Sequence, residues 1–221
     1  MRMTSGRAPL CQKSESGGDH IDTIQIRDRA DHIIWIGSES IHIRHKKEVV
    51  NERIELPPAG PVPFVPRFHG LWEEASQKAC QSQLAKALGG HLRMRMSCIL
   101  AAIPDDATWI ETRALQELFL ISGSGAPDKR LFFCPQSLLL RPVRESFIAV
   151  TWSCRCLSIC LVCNGAAASR VHLDIARCGQ EELAEAVNGL RPNERLPVYY
   201  PEIEAAPLPE MPGTGVPLEQ L

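Results

Sequence analysis

Residues 32–56 read HIIWIGSESIHIRHKKEVVNERIEL, and this stretch sets the class of the fold. His32-Ile33-Ile34-Trp35-Ile36 is a run of β-branched and aromatic residues, the types that pack well on a pleated surface. Gly37-Ser38-Glu39-Ser40 supplies turn chemistry, and Ile41-His42-Ile43-Arg44-His45 then alternates apolar and polar, as a half-buried strand does. Lys46-Lys47-Glu48 gives a second turn and 49–56 a third strand. Three strands in a row with short turns make an antiparallel meander.

The rest of the chain alternates strands with helices. After a proline-rich connection at 57–66, residues 71–88 have helical spacing, with Leu71, Ala75, Ala79, Leu84 and Leu88 on one face and Gly89-Gly90 as the stop. Residues 97–103 (SCILAAI) read as a buried strand. Asp105 or Asp106 is expected to cap a helix over 107–121, with Ile110, Ala114, Leu115, Leu118 and Ile121 inward and Glu111 and Glu117 toward water. Gly123-Ser124-Gly125 follows that helix instead of preceding one, so it reads as a helix stop and not a phosphate loop. A short strand at 131–134, a helical turn at 137–140, a hairpin over 146–162 and a strand at 168–175 come next. Gly179 opens a last helix, 180–190, with Leu183, Ala186, Val187 and Leu190 as its apolar stripe. The order βββ-α-β-α-β-(α)-βββ-α predicts an α/β fold, a mixed sheet with helices on it, without internal repeat.

Flanking segments differ in composition. Residues 1–30 read as a flexible polar arm with a short strand at 22–26, and 31–190 as the folded domain. Residues 191–221 read as a disordered tail, because Pro197, Pro201, Pro207, Pro209, Pro212 and Pro217 interrupt any helix or central strand.

Composition excludes some classes. The 221 residues carry 24 Lys+Arg against 26 Asp+Glu, a formal charge of −2, which lacks the footprint of a general nucleic-acid binder. The first residues have no apolar signal-peptide core, so the nine cysteines are expected to be thiols in the cytoplasm. The apolar stretch 147–168 contains Arg155 and Asn164, which make membrane insertion costly. Within it, Cys154, Cys156, Cys160 and Cys163 have the spacing C-x-C-x3-C-x2-C, not one of the usual zinc or iron–sulfur patterns. They read first as small buried hydrophobes and, as an alternative, as a thiol- or metal-binding module. His32, His42 and His45 read as surface or satisfied core residues, and His69, His91 and His172 have no evident partner.

Several strings resemble the bacterial rod-shape-determining, actin-like (MreB) family within the actin, sugar-kinase and chaperone ATPase superfamily. These are 32–56 with VVNE at Val49–Glu52, the run IETRALQE within 97–124, LFFCPQSLLL at 131–140, and 147–187. The resemblance implies one lobe of an actin-like ATPase, with two glycine-bearing hairpins gripping nucleotide. Each hairpin would open with an aspartate holding Mg²⁺ through water; here those positions are Trp35 and Thr151, and the second hairpin carries Ser153, Cys154 and Arg155 in place of glycines. Gln136 matches the residue that positions the attacking water, Gly37 and Ser38 the first phosphate loop, and Gly179 and Glu181 a loop near the ribose. The chain is also expected to end before the second half of the cleft.

The resemblance therefore implies a degenerate cell-shape-type protein, a pseudo-ATPase acting through protein contacts. Its expected partners are actin-like filaments or membrane-associated assembly proteins, with no nucleic acid and no membrane span. No cofactor is expected; ATP with Mg²⁺, in a functional cell-shape or pilus-assembly ATPase, is the alternative.

Overall fold

The meander expected over 32–56 forms, and its first strand becomes the middle of a sheet. The computed structural model describes residues 23–37, 40–46, 51–56, 74–90, 97–119, 130–140, 145–191, 196–203 and 205–221. The strands are β1 (His32–Ile36), β2 (Ser40–His45), β3 (Asn51–Glu55), β4 (Ile99–Ile103), β5 (Leu131–Pro135), β6 (Phe147–Trp152), β7 (Cys156–Cys163), β8 (Ala166–Asp174), β9 (Val198–Pro201) and β10 (Thr214–Val216). The helices are α1 (Thr23–Arg29), α2 (Glu74–Ala87), α3 (Trp109–Phe119) and α4 (Gln180–Gly189). Short 3-10 turns follow β5 at Gln136–Leu138 and β10 at Leu218–Gln220.

The architecture is α/β with mixed sheets and helices, as expected, but the sheets number two. The first has the order β3-β2-β1-β4-β5 and the second β10-β9-β6-β7-β8. Read from the other edge, the second is β8-β7-β6-β9-β10, the same pattern: an antiparallel meander whose first strand is then joined by two parallel strands. The chain thus repeats one topology twice, where its sequence shows no repeat.

Burial explains the layering. The two sheets pack face to face through Trp35, Leu100 and Ala102 of one and Phe147, Ala149, Cys160 and Tyr199 of the other. The outer face of the first sheet takes α2 and α3 through Leu84, Leu88, Leu115 and Leu118. The outer face of the second takes α4 through Leu183 and Val187. Covered on both faces, β1 and β6 read as continuous apolar runs, which is the signature of central strands in this kind of sheet. On α2 the buried stripe is Cys80, Leu84 and Leu88, and Ala75 and Ala79 lie exposed, so the expected face holds only for its second half. Leu71 lies outside the described residues.

Two flanking expectations change. Residues 1–22 of the predicted arm lie outside the described residues, but Thr23–Arg29 is a helix and not a strand. Ile26 and Ala30, one helical turn apart, both bury in the layer between the sheets. The proline-rich tail folds as well: β9 pairs parallel with β6, and β10 with β9. Pro197 immediately precedes β9, Pro201 ends it and Pro217 follows β10, so these prolines bound short strands instead of interrupting them. Asn164 and Gly165 turn β7 into β8 with φ of 50° and 75°, the left-handed pair that a two-residue hairpin turn requires.

Candidate functional site

Because β1, β4 and β5 run parallel, their C-terminal ends share one edge of the first sheet, the edge where open α/β sheets gather functional groups. Gly37 follows β1, Asp105 and Asp106 follow β4, and Gln136 and Ser137 follow β5. The β6–β7 turn, Ser153 to Arg155, meets this edge from the second sheet. The result is a polar network at one end of an otherwise apolar inter-sheet layer.

Asp105 is its buried centre. Its carboxylate accepts from the Ser137 backbone N–H at 2.9 Å, the Ser137 hydroxyl at 2.5 Å and the Thr151 hydroxyl at 2.9 Å, and it pairs with Arg170 Nη2 at 3.3 Å. Asp106 accepts from the Ser153 hydroxyl at 3.0 Å and from Arg155 Nε at 3.2 Å. Arg155 also donates through Nη2 to the Asp106 carbonyl and to Glu111 Oε2, each at 3.0 Å. Burial lowers the Arg155 pKa, but Glu111 and Asp106 outweigh it, and the net shift is upward. A guanidinium lying between two carboxylates is a fixed cation.

These contacts overturn two expectations. Asp105 and Asp106 do not cap α3; they tie the first sheet to the second. The cap is Thr108, whose hydroxyl accepts from the Glu111 N–H at 3.3 Å while Glu111 Oε2 accepts from the Thr108 N–H at 2.8 Å. That reciprocal pair is a capping box, legible in Thr108-Trp109-Ile110-Glu111 but not read there. Glu111, expected in water, has a side chain 0% exposed, because it serves both the cap and Arg155. His172 gains a partner too: Ser158 Oγ lies 2.9 Å from its Nδ1, with Cys156 Sγ at 3.8 Å.

Of the residues matched to nucleotide binding, two come together. Gln136 is buried and its Nε2 donates to the Ile36 carbonyl at 2.8 Å, beside Gly37, whose own N–H donates to Ser40 O at 2.9 Å. Gln136 Oε1 is buried with no hydrogen-bond partner among the described residues. Ser38 lies outside the described residues. Gly179 and Glu181 sit in the first turn of α4, on the outer face of the second sheet, and no hydrogen bond joins them to Gln136 or Gly37. Gly179 is the N-cap, its N–H donating to Glu182 Oε2 at 3.0 Å, and Glu181 is exposed.

The donor set does not suit a divalent cation with nucleotide. Trp35 is buried as core between the sheets and offers no ligand oxygen, while Thr151 spends its hydroxyl on Asp105. Asp105, Asp106 and Glu111 are each engaged by arginine. Among the described residues no three His, Cys, Asp or Glu side chains are placed to hold a metal ion. The four clustered cysteines do not converge either. Cys154 is exposed in the turn, Cys156 and Cys163 stand half-buried at the two ends of β7, and Cys160 is core at its middle. An extended strand advances about 3.3 Å per residue, so its ends lie about 20 Å apart and cannot share a metal. The metal-module alternative is thereby corrected. The stretch 147–168 is strand and hairpin, and no described helix is long and apolar enough to cross a membrane.

No family model and no curated protein matches the chain. Among solved structures it is similar to MreB 5 of Spiroplasma citri bound to AMPPNP, at 12% identity and a TM-score of 0.44, over 72% of this chain and 56% of that one. It is similar to the ethanolamine utilization protein EutJ from Carboxydothermus hydrogenoformans, at 11% identity and a TM-score of 0.42, over 79% of each chain. An exopolyphosphatase from Cytophaga hutchinsonii aligns at 8% identity and a TM-score of 0.41, over 78% of this chain and 66% of that one. The chain thus spans little more than half of the MreB 5 structure. These are likenesses in the arrangement of elements, and the functional conclusion rests on the site.

Proposed function

We propose that this chain is an actin-like protein of the cell-shape or assembly type that works through protein contacts, its nucleotide hydrolysis weak or lost. The observation that carries the reading is Arg155, ion-paired to Asp106 and Glu111 at the meeting of the two sheets. Phosphoanhydride hydrolysis needs a divalent cation and positive charge preorganised around the transferred phosphoryl group. Here the positive charge at that end is consumed by the chain's own carboxylates, and the residues matched to the two metal-holding aspartates are Trp35 and Thr151. What such a network provides is rigidity: three buried or half-buried ion pairs lock the sheets to each other and fix the surfaces on either side.

A second reading, retained nucleotide binding, draws on Gln136, whose buried Oε1, near Gly37, is an acceptor with no partner among the described residues. Titration with a fluorescent ATP analogue, with and without Mg²⁺, separates the two, alongside a phosphate-release assay. The expected result is no Mg²⁺-dependent saturation and no release above a heat-denatured control. Saturable Mg²⁺-dependent binding with turnover would overturn the first reading in favour of a working ATPase.

A further inference from the structure

At the other end of the inter-sheet layer, beside the first residues of β1, lies a cavity of about 250 Å³. Its wall combines Arg27 and Asp28 from α1, Arg44 from β2 and Lys46 just after it, Ile33 from β1, and Gln220 and Leu221 at the last 3-10 turn. Ile33 stands opposite Arg44 in the β1–β2 register, so the apolar floor and the guanidinium share one face.

The cations here are not equally engaged. Arg27 donates through Nη2 to Gln220 O at 2.9 Å and through Nη1 to Leu139 O at 3.4 Å, which ties it to the cavity wall. Lys46 Nζ donates to the Asp28 carbonyl. The Arg44 side chain makes no hydrogen bond or ion pair with any described residue, although it is only half exposed. Burial and the nearby Arg44 charge both lower the Arg27 pKa, with Asp28 acting the other way. The side chains of Arg27, Arg44 and Lys46 against Asp28 leave +2 at one concavity, which the α-carboxylate of Leu221, also lining it, reduces to +1, in a chain whose side-chain total is −2. Like charges held together in a recess, one of them without an ion-pair partner among the described residues, raise the local potential for an anion.

We propose that this cavity is a binding site for the phosphoryl group of a small molecule, with Arg44 as its principal ligand, Arg27 as the fixed wall and Lys46 at the mouth. A phosphoryl group presents three oxygens to the three cations of the cavity, where a carboxylate presents two. Guanidinium groups suit it because their planar fork donates two parallel hydrogen bonds to its oxygens. A nucleic acid or an anionic membrane would call for a broad basic face, which the net charge of −2 does not supply. The site stands apart from the Arg155 network, so it holds or fails independently of the proposed function.

The test titrates the full chain with inorganic phosphate, pyrophosphate and glycerol phosphate at constant ionic strength, with acetate as control, following thermal stability and heat of binding. Saturable stabilisation by at least one phosphoryl probe and none by acetate is expected. Arg44→Gln should raise the apparent Kd at least tenfold and Lys46→Gln severalfold, while Arg53→Gln, an exposed site on β3 outside the cavity, should leave it unchanged. Circular dichroism checks that the variants fold, and Lys46→Gln, at an exposed position, carries the test should Arg44→Gln fail to fold. Absence of a saturable phosphoryl effect, equal binding of acetate, equal binding by Arg44→Gln, or equal loss in Arg53→Gln would each overturn the site.

Discussion

Arg155, from the β6–β7 turn of the second sheet, bridges two carboxylates on the side of the first, Asp106 after β4 and Glu111 on α3, and the Glu111 side chain has no exposure to water. Removing the guanidinium leaves a buried carboxylate whose desolvation is no longer offset. Arg155→Ala should therefore lower stability by about 2–3 kcal/mol in urea denaturation, at or below the lower end of what breaking a buried pair costs, because Arg155 is itself partly exposed. Arg155→Lys should recover only part of the loss, since a single ammonium cannot bridge both acids as a fork does. Two histidines give the pH dependence its sign. Burial and His45 lower the His32 pKa, and burial and Arg53 lower that of His42, below the ordinary 6.5. Between the lowered and ordinary values the unfolded chain binds more protons than the folded one. The contribution is therefore complete above about pH 6.5 and is lost as pH falls through the lowered folded values. Denaturation at pH 7.5 and 5.5 should show a smaller drop for the His32→Gln, His42→Gln double variant than for the parent chain.

Elements hold their places through register and caps. β10 depends on Gly213, which has φ of 98° and stands so that an added Cβ would lie 2.2 Å from the Val198 carbonyl oxygen of β9. Neither the left-handed backbone nor that contact accepts a side chain. Gly213→Ala should cost about 3 kcal/mol and release the β9–β10 edge, read as faster amide exchange over 214–216. The alternation in Ile41-His42-Ile43 was enough to place β2, and the stripe of Leu183 and Val187 enough to place α4, because each pattern states which face is buried. Prolines around 197–217 gave the opposite signal, since a proline at a strand boundary and one inside a strand look alike until the pairing partner is known.

Over the whole molecule the cysteines report the layering. All eight described cysteines are thiols, with Cys80 and Cys134 buried and their pKa values raised by burial to about 11 and about 12. Brief alkylation at pH 8 followed by mass spectrometry should, among the described cysteines, modify exposed Cys154 first and leave Cys80 and Cys134 unmodified until the chain unfolds. Fast modification of Cys134 would contradict the face-to-face packing of the sheets.

The sequence alone determined the α/β class, the order of elements over 31–190 and the buried faces of β1, β2 and α4, because hydrophobic periodicity is a local property. Only the tertiary structure decided that two sheets repeat one topology, since strand order depends on pairing between distant segments. It also decided that Glu111 is a buried ion-pair partner instead of facing solvent, and that Asp105 is one instead of capping α3. A carboxylate's environment is set by the arginine that reaches it, and Arg155 and Arg170 lie 44 and 65 residues further along the chain.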